Sequence, residues 1–222
     1  KKKKEYANEF PIHSLKVRYE SDVNQYGQNY LYTSKDNVFL ALKREKDDRI
    51  GYYRQAEMSY TNEFYSGFSF QLTARRRTDE SSYLIPFLRK DGEVYSPVKD
   101  FSTSAAELKL RYAPNRFPVS LDAPVFTLSH TIAGKGVLGS DYTYNHTEAG
   151  IQKRFWFSAF GYTDIILKAG KVWDKVPFPL LIMPNANLSY TIQPESYSLM
   201  NAMEFMNDEY FSWDVTYFLN GW

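Results

Sequence analysis

The feature that most constrains this chain is a two-beat alternation of apolar and polar residues, repeated along its length. Ala106-Glu107-Leu108-Lys109-Leu110-Arg111-Tyr112 places an apolar side chain at every second position and a charge at each position between. Tyr210-Phe211-Ser212-Trp213-Asp214-Val215-Thr216-Tyr217-Phe218-Leu219 does the same, with Phe211, Trp213, Val215, Tyr217 and Leu219 on one side. Successive side chains of a β-strand point to opposite faces, so each such strand separates an oily environment from a wet one. Repeated with aromatic residues near strand ends, the pattern predicts an all-β chain forming an antiparallel transmembrane β-barrel, apolar outside and polar inside. A soluble antiparallel β-sandwich that binds glycans or peptides gives the same alternation, because one face of each of its sheets is wet. The sandwich packs its apolar faces together, whereas a barrel wears its aromatics outside.

Composition narrows the alternatives. Lys and Arg number 27 against 26 Asp and Glu, so no global basic field points to nucleic acid. There is no cysteine, which removes disulfides, thiolate metal sites and thiol nucleophiles. The longest apolar stretch, Val176 to Pro184, is broken by prolines and falls short of the roughly 20 residues a membrane helix needs. The chain opens on Lys1-Lys2-Lys3-Lys4, read as a solvated end, and shows no secretory leader. It is expected to be a piece of a longer protein, a single β-barrel region over residues 1–222.

Periodicity predicts about ten strands, near 13–21, 38–46, 53–65, 67–77, 104–112, 124–132, 147–159, 162–173, 186–193 and 210–219. Several reach the roughly 9–11 residues of a tilted membrane strand. Tyr65-Ser66-Gly67 and Phe160-Gly161-Tyr162 read as tight turns. The excursions 78–103, 133–145 and 174–185 are long and fall on the opposite side of the sheet. Residues 113–123 and 194–209 are longer than this scheme wants. In the second of these, Leu199, Met200, Met203 and Met206 fall at helical spacing behind Ser196, which predicts a short helix near 196–206. Its methionines would plug the lumen, pack on the rim or present an adaptable surface to a partner.

Motifs with chemistry are weak. Gly134-Lys135-Gly136-Val137-Leu138-Gly139 matches a dinucleotide fingerprint in letters, but turn and strand residues follow where a helix is required. His13, His130 and His146 share no metal-ligand spacing, and Ser129 and His130, adjacent on a strand, face opposite ways. His130 is the sole seed for a lipid hydrolase on the outer wall. No catalytic residue, cofactor site or metal site is assigned. Arg75, Arg77, Glu107, Lys109, Arg111, Asn187, Thr191 and Asp214 are expected to face a hydrated lumen, since a charge at the membrane midplane costs roughly 2–4 kcal/mol. Phe68, Phe70, Phe155, Phe157, Phe211, Trp213 and Tyr217 are expected on the lipid face or in an interfacial girdle, with Trp156 and Tyr162 beside them. Lys153 shares the apolar face of Ile151, Phe155 and Phe157 and would have to snorkel.

Gly150-Ile-Gln-Lys-Arg-Phe-Trp156, Ala159-Phe-Gly-Tyr-Thr-Asp164, Ala169-Gly-Lys-Val-Trp173, Pro177 through Asn185, Gln193 through Tyr197 and Asn201 through Phe205 follow one another in an order that resembles the C-terminal region of a Bacteroidota family of outer-membrane proteins of unknown function. Members of that family join an N-terminal carboxypeptidase-like regulatory domain to a C-terminal β-barrel. The resemblance is strongest over about 105–222 and implies a signal peptide, a periplasmic β-sandwich domain upstream, and residence in the outer membrane. It implies no peptidase. The family pattern continues past Asn220-Gly221-Trp222, so further strands are expected beyond them. A distant likeness to insertases of the BamA class lacks their arginine-containing lumen-loop signature in 177–210. The expected role is that of a non-enzymatic anchor, transport or assembly component, in contact with outer-membrane lipid and with other outer-membrane or periplasmic proteins.

Overall fold

The computed structural model describes residues 11–28, 48–114, 123–190 and 195–219. Among these residues ten strands form: β1 (Ile12–Gln25), β2 (Ile50–Glu63), β3 (Phe68–Glu80), β4 (Phe87–Asp91), β5 (Val94–Val98), β6 (Asp100–Tyr112), β7 (Val125–Ala133), β8 (Tyr144–Trp156), β9 (Tyr162–Val172) and β10 (Glu209–Phe218). Eight of them make one antiparallel sheet in the order β1-β2-β3-β6-β7-β8-β9-β10, and β4 pairs with β5 as a separate hairpin. Every strand of the large sheet thus lies beside its neighbour in sequence, except that the β4–β5 hairpin is inserted between β3 and β6. β1 and β10 are the edges, and the sheet is not closed among the described residues.

Cross-strand register sorts the side chains. Phe70 stands opposite Leu110, Leu72 opposite Leu108 and Ala74 opposite Ala106. Between them, Gln71 faces Lys109, Thr73 faces Glu107 and Arg77 faces Thr103. The same parity continues through Leu110–Leu128, Ile151–Leu167 and Leu167–Trp213 on the apolar side. Arg154–Asp164 and Ser212–Lys168 continue it on the polar side. The apolar face is uncovered among the described residues: Leu15, Val17, Tyr19, Phe211 and Trp213 are 67–73% exposed. The polar face carries the segment that follows β9, which meets Arg75, Arg77 and Thr103 there.

The apolar band crosses the strands obliquely. One row of register partners runs Leu15, Tyr60, Leu72, Leu108, His130, Thr147, Lys171, Glu209. It begins in the apolar band and ends among polar residues. On β10 the apolar run Phe211–Leu219 centres on Val215, six residues past Glu209. On β1 the run Leu15, Val17, Tyr19 centres on Val17, two residues from the row in the opposite direction. The band therefore drifts by about eight residues over seven strand spacings. At about 3.3 Å per residue and about 4.8 Å per spacing, that is about 26 Å over about 34 Å, an angle of about 38°.

The short turns lie at one end of the sheet. At the β2–β3 turn, Gly67 donates to Phe64 O and has φ +83°. Its carbonyl accepts the Ala113 N–H at 2.9 Å. Gly161, at φ 109°, closes the β8–β9 turn by accepting the Phe157 N–H at 2.8 Å. The long connections 81–99, 134–143 and 173–208 lie at the other end.

Four expectations need correction. Of the strand expected at 186–193, the described residues 186–190 form none: Ala186, Asn187, Leu188 and Ser189 are all buried, so both parities are covered and the apparent two-beat marks no boundary between oil and water, and 191–193 lie outside the described residues. No helix forms near 196–206; Glu195 and Met203 have φ 52° and 59°, which a right-handed helix excludes. The stretch from 78 to 103 is not a plain excursion, because β4 and β5 pair across Asp91-Gly92 within it. Trp156 and Tyr162 are register partners on the polar face, so they do not extend the band of Phe155. The expected strand at 38–46 lies outside the described residues.

A side chain on Gly67 would place its Cβ 2.3 Å from the Ala113 carbonyl oxygen. Gly67→Ala should lower the stability by roughly 1–3 kcal/mol, read as a fall in the urea midpoint.

Candidate functional site

The residues with most chemistry lie on the polar face and on the segment that crosses it, 174–208. Prolines at 177, 179 and 184 interrupt the backbone there, and among the described residues the segment forms one short 3-10 turn, Phe178–Leu180. The segment is held by tertiary contacts instead. Asp174 accepts a hydrogen bond from Asn145 Nδ2 at 2.7 Å. Lys168 of β9 pairs with Glu195. Ala186 N–H donates to Gly27 O at 2.8 Å, and Ile182 and Asn207 form an isolated antiparallel bridge. Gly27, at φ +72°, lets the backbone of Ala202 and Met203 approach to where a Cβ would sit 2.6 Å from Met203 N. One segment thus reaches from β9 to the end of β1.

Five rings join this segment to the rest of the loop end. Tyr26 meets Phe178 edge-on at 5.5 Å, Phe178 meets Phe87 of β4 at 5.6 Å, Phe87 meets Phe101 of β6 at 5.5 Å, and Phe101 meets Tyr142 at 5.5 Å. Beneath lies a cavity of about 400 Å³ against Arg75, Arg77, Thr103, Tyr144, Leu181 and Asn185. The two guanidinium groups there differ. Arg77 Nε and Nη2 donate to Asp79 at 2.7–3.0 Å, and the guanidinium lies 4.4 Å over the Tyr53 ring. The Asp79 side chain is only 1% exposed, so this pair is neutralised in place. Arg75, half-buried, has no ion pair among the described residues. Its chemistry is that of a cation at a polar cavity wall, suited to holding an anionic or strongly dipolar solute.

Elsewhere the polar face is laced with mixed-sign contacts. Arg154 grips Asp164 through two bonds of 2.6 and 2.7 Å while lying 3.9 Å over the Tyr162 ring. Tyr210 donates to Glu148 at 2.9 Å. Burial, with Asp214 nearby, raises the Tyr197 hydroxyl above its ordinary value.

Of the residues expected to face a lumen, Arg75, Arg77, Glu107, Lys109, Arg111 and Asp214 all take the polar face. Asn187 does not stand on a strand: it is buried in the crossing segment, its Oδ1 accepting the Ser189 N–H at 3.0 Å. Thr191 lies outside the described residues. Phe68, Phe70, Phe155, Phe211, Trp213 and Tyr217 take the apolar face, and Phe157, just beyond β8, contacts Tyr217 at 6.2 Å. Lys153 shares that face, its ammonium 4.8 Å over Phe155. Met203 lies in a turn and Met200 and Met206 in irregular stretches, not on a helical stripe, with Met206 44% exposed. Ser129 and His130 face opposite ways, His130 Nδ1 lying 2.9 Å from Thr147 Oγ1. The Gly136–Gly139 turn leads into β8, not a helix. Sequence reading missed the aromatic chain and the Lys168–Glu195 tie, which join residues distant in sequence. The β4–β5 hairpin had a local signal in Asp91-Gly92.

Comparison with protein-family models, curated proteins and solved structures finds no match to this chain.

Burial, assisted by Asp79, pushes the Tyr26 hydroxyl up to about 12. In the unfolded chain it ionises near 10. The folded state therefore holds the proton across the interval, and stability falls as pH rises from about 10 to about 12. Tyr26→Phe should flatten this part of the plot of urea midpoint against pH and leave the part below about 10 unchanged.

Proposed function

We propose that this chain is the barrel-forming region of an outer-membrane protein of the Bacteroidota family that it resembles. It serves as an anchor, transport or assembly component of the cell envelope and carries out no catalysis. The observation that carries this reading is the oblique apolar band. Strands of transmembrane barrels tilt by roughly 35–45°, and a flat slab of lipid cut across strands so tilted must wet a strip that drifts from strand to strand. The drift of about 38° from the register falls in that range.

The uncovered apolar face supports the same reading. A soluble sandwich would bury Leu15, Val17, Leu72, Leu108 and Trp213 beneath a second sheet, and among the described residues none covers them. In lipid an unpaired backbone group costs several kcal/mol, so the edges at β1 and β10 require further strands or a partner's edge to close the wall. The polar face then lines a lumen that the 174–208 segment partly fills, and a solute that crosses passes the cavity at Arg75.

The test is fractionation of cells expressing the full-length parent, with detergent dependence and heat-modifiable gel mobility as readouts. A detergent-dependent, heat-shifted band in the outer membrane is expected. Solubility without detergent and no heat shift would sink the reading and favour the sandwich.

A further inference from the structure

The apolar face is not smooth. Between β2 and β7 it holds a depression of about 360 Å³. Its floor is made of small side chains, because Ala74 and Ala106 are register partners. Met58, Leu72, Leu108 and Ile132 wall it. Two residues beyond Ala74, about 7 Å along β3, Arg76 stands on the same face at the edge of the apolar band. Arg76 is exposed and has no ion pair among the described residues. The nearby carboxylates of that end are engaged or further off. Glu80 is held by Arg54 at 2.7 Å, Asp100 stands opposite Glu80, and Asp141 accepts the Ser102 N–H at 2.6 Å.

The loop between β7 and β8 adds a second observation. Gly136, Leu138 and Gly139 all have positive φ, a conformation that Leu138, at 47°, adopts only under steric strain. The turn leaves Val137 and Leu138 56% and 77% exposed. Ser104, which shares the face of Arg76, fixes the turn by donating to Leu138 O at 2.9 Å. Gly139 leaves room for the guanidinium: a Cβ there would sit 3.1 Å from Arg76 Nη2. An unpaired cation thus stands between an apolar slot and an apolar loop tip.

We propose that this is a binding site for one anionic phospholipid, with an acyl chain in the slot over Ala74 and Ala106 and the phosphate on Arg76. The assignment rests on the membrane reading above. A hydrocarbon chain fills the slot without leaving a polar group unpaired, and the phosphate supplies Arg76 with the acceptor it lacks. Val137 and Leu138 lie against the same lipid at headgroup depth.

The test uses the full chain, delipidated in nonionic detergent. Phosphatidylglycerol or a phosphatidylcholine with the same acyl chains is titrated in, and one-to-one complexes are counted by native mass spectrometry. The parent should retain phosphatidylglycerol about fivefold better, as one arginine near an anionic headgroup provides. Arg76→Gln should abolish that preference, Ala106→Phe should weaken both lipids, and Lys109→Gln on the polar face should change neither. Heat-modifiable mobility checks that each variant is folded. Equal retention of the two lipids by the parent, or a preference that survives Arg76→Gln, overturns the lipid site and leaves the membrane reading standing. A chain that stays in solution without detergent overturns both.

Discussion

The register between neighbouring strands is the interaction on which the rest of this structure depends. Side chains alternate with a period of two, so slipping a strand by one residue moves its whole apolar set to the other face. Between β3 and β6 the pairing runs without interruption from Phe68–Tyr112 to Glu80–Asp100. A slip of β3 by one residue would set Thr73 and Gln71 opposite Leu108 and Leu110, turn Arg75 and Arg77 to the apolar face, and strip Arg77 of the stack it makes on the Tyr53 ring of β2. Hydrogen bonding alone is indifferent to the slip. The two faces are not, and their contrast holds eight strands in one register.

The polar face would be unstable as a bare wall of charges. It is stabilised in two ways. Charges that remain on the wall are matched in place, as in Arg77–Asp79 and Arg154–Asp164. The loop end is then roofed by rings from five separate parts of the chain, whose edge-on and tilted contacts contribute roughly 0.5–1.5 kcal/mol each beyond the area they bury. Roofing is incomplete where Arg75, Arg77 and Tyr144 converge. Filling that space with apolar side chains would leave the Arg75 guanidinium without solvent or partner, at a cost well above what the extra packing returns. The cavity is a consequence of placing an unmatched cation on the wall.

What the sequence made legible follows from which forces are local. Alternation is local, so β3, β6 and β10 were readable and so was the face of each of Arg75, Glu107, Lys109, Phe211 and Trp213. Turn chemistry is local too, and Gly67 and Gly161 sit where the chain reverses. The crossing segment was misread because its conformation is set from outside. Ala186-Asn187-Leu188-Ser189 looks like a strand only if one parity is wet, and here neither is. The methionine spacing of 200–206 suits a helix, yet so short a helix is marginal in isolation. The bonds it would make are replaced by the Ala186–Tyr197 and Ile182–Asn207 bridges. The oblique drift of the apolar band was also beyond reach, because it is a property of all seven registers together.

Arg75, Arg76 and Arg77 show how far register can separate neighbours in sequence. Three identical side chains follow one another on β3, and nothing in their order distinguishes them. Parity puts Arg75 and Arg77 on the polar face and Arg76 on the apolar face. Asp79, two residues on and on the same side, takes Arg77 and leaves Arg75 to the cavity. Arg76 is tolerated on the other face because the band has drifted past it: by the third strand of the sheet the apolar run has ended at Ala74. Moved three strands toward β10 along its own row, the same position would lie further still from the band, and moved to β1 it would fall beside Tyr19, inside it. The angle of the band therefore decides which charges of this chain stand at an interface and which would be buried in oil.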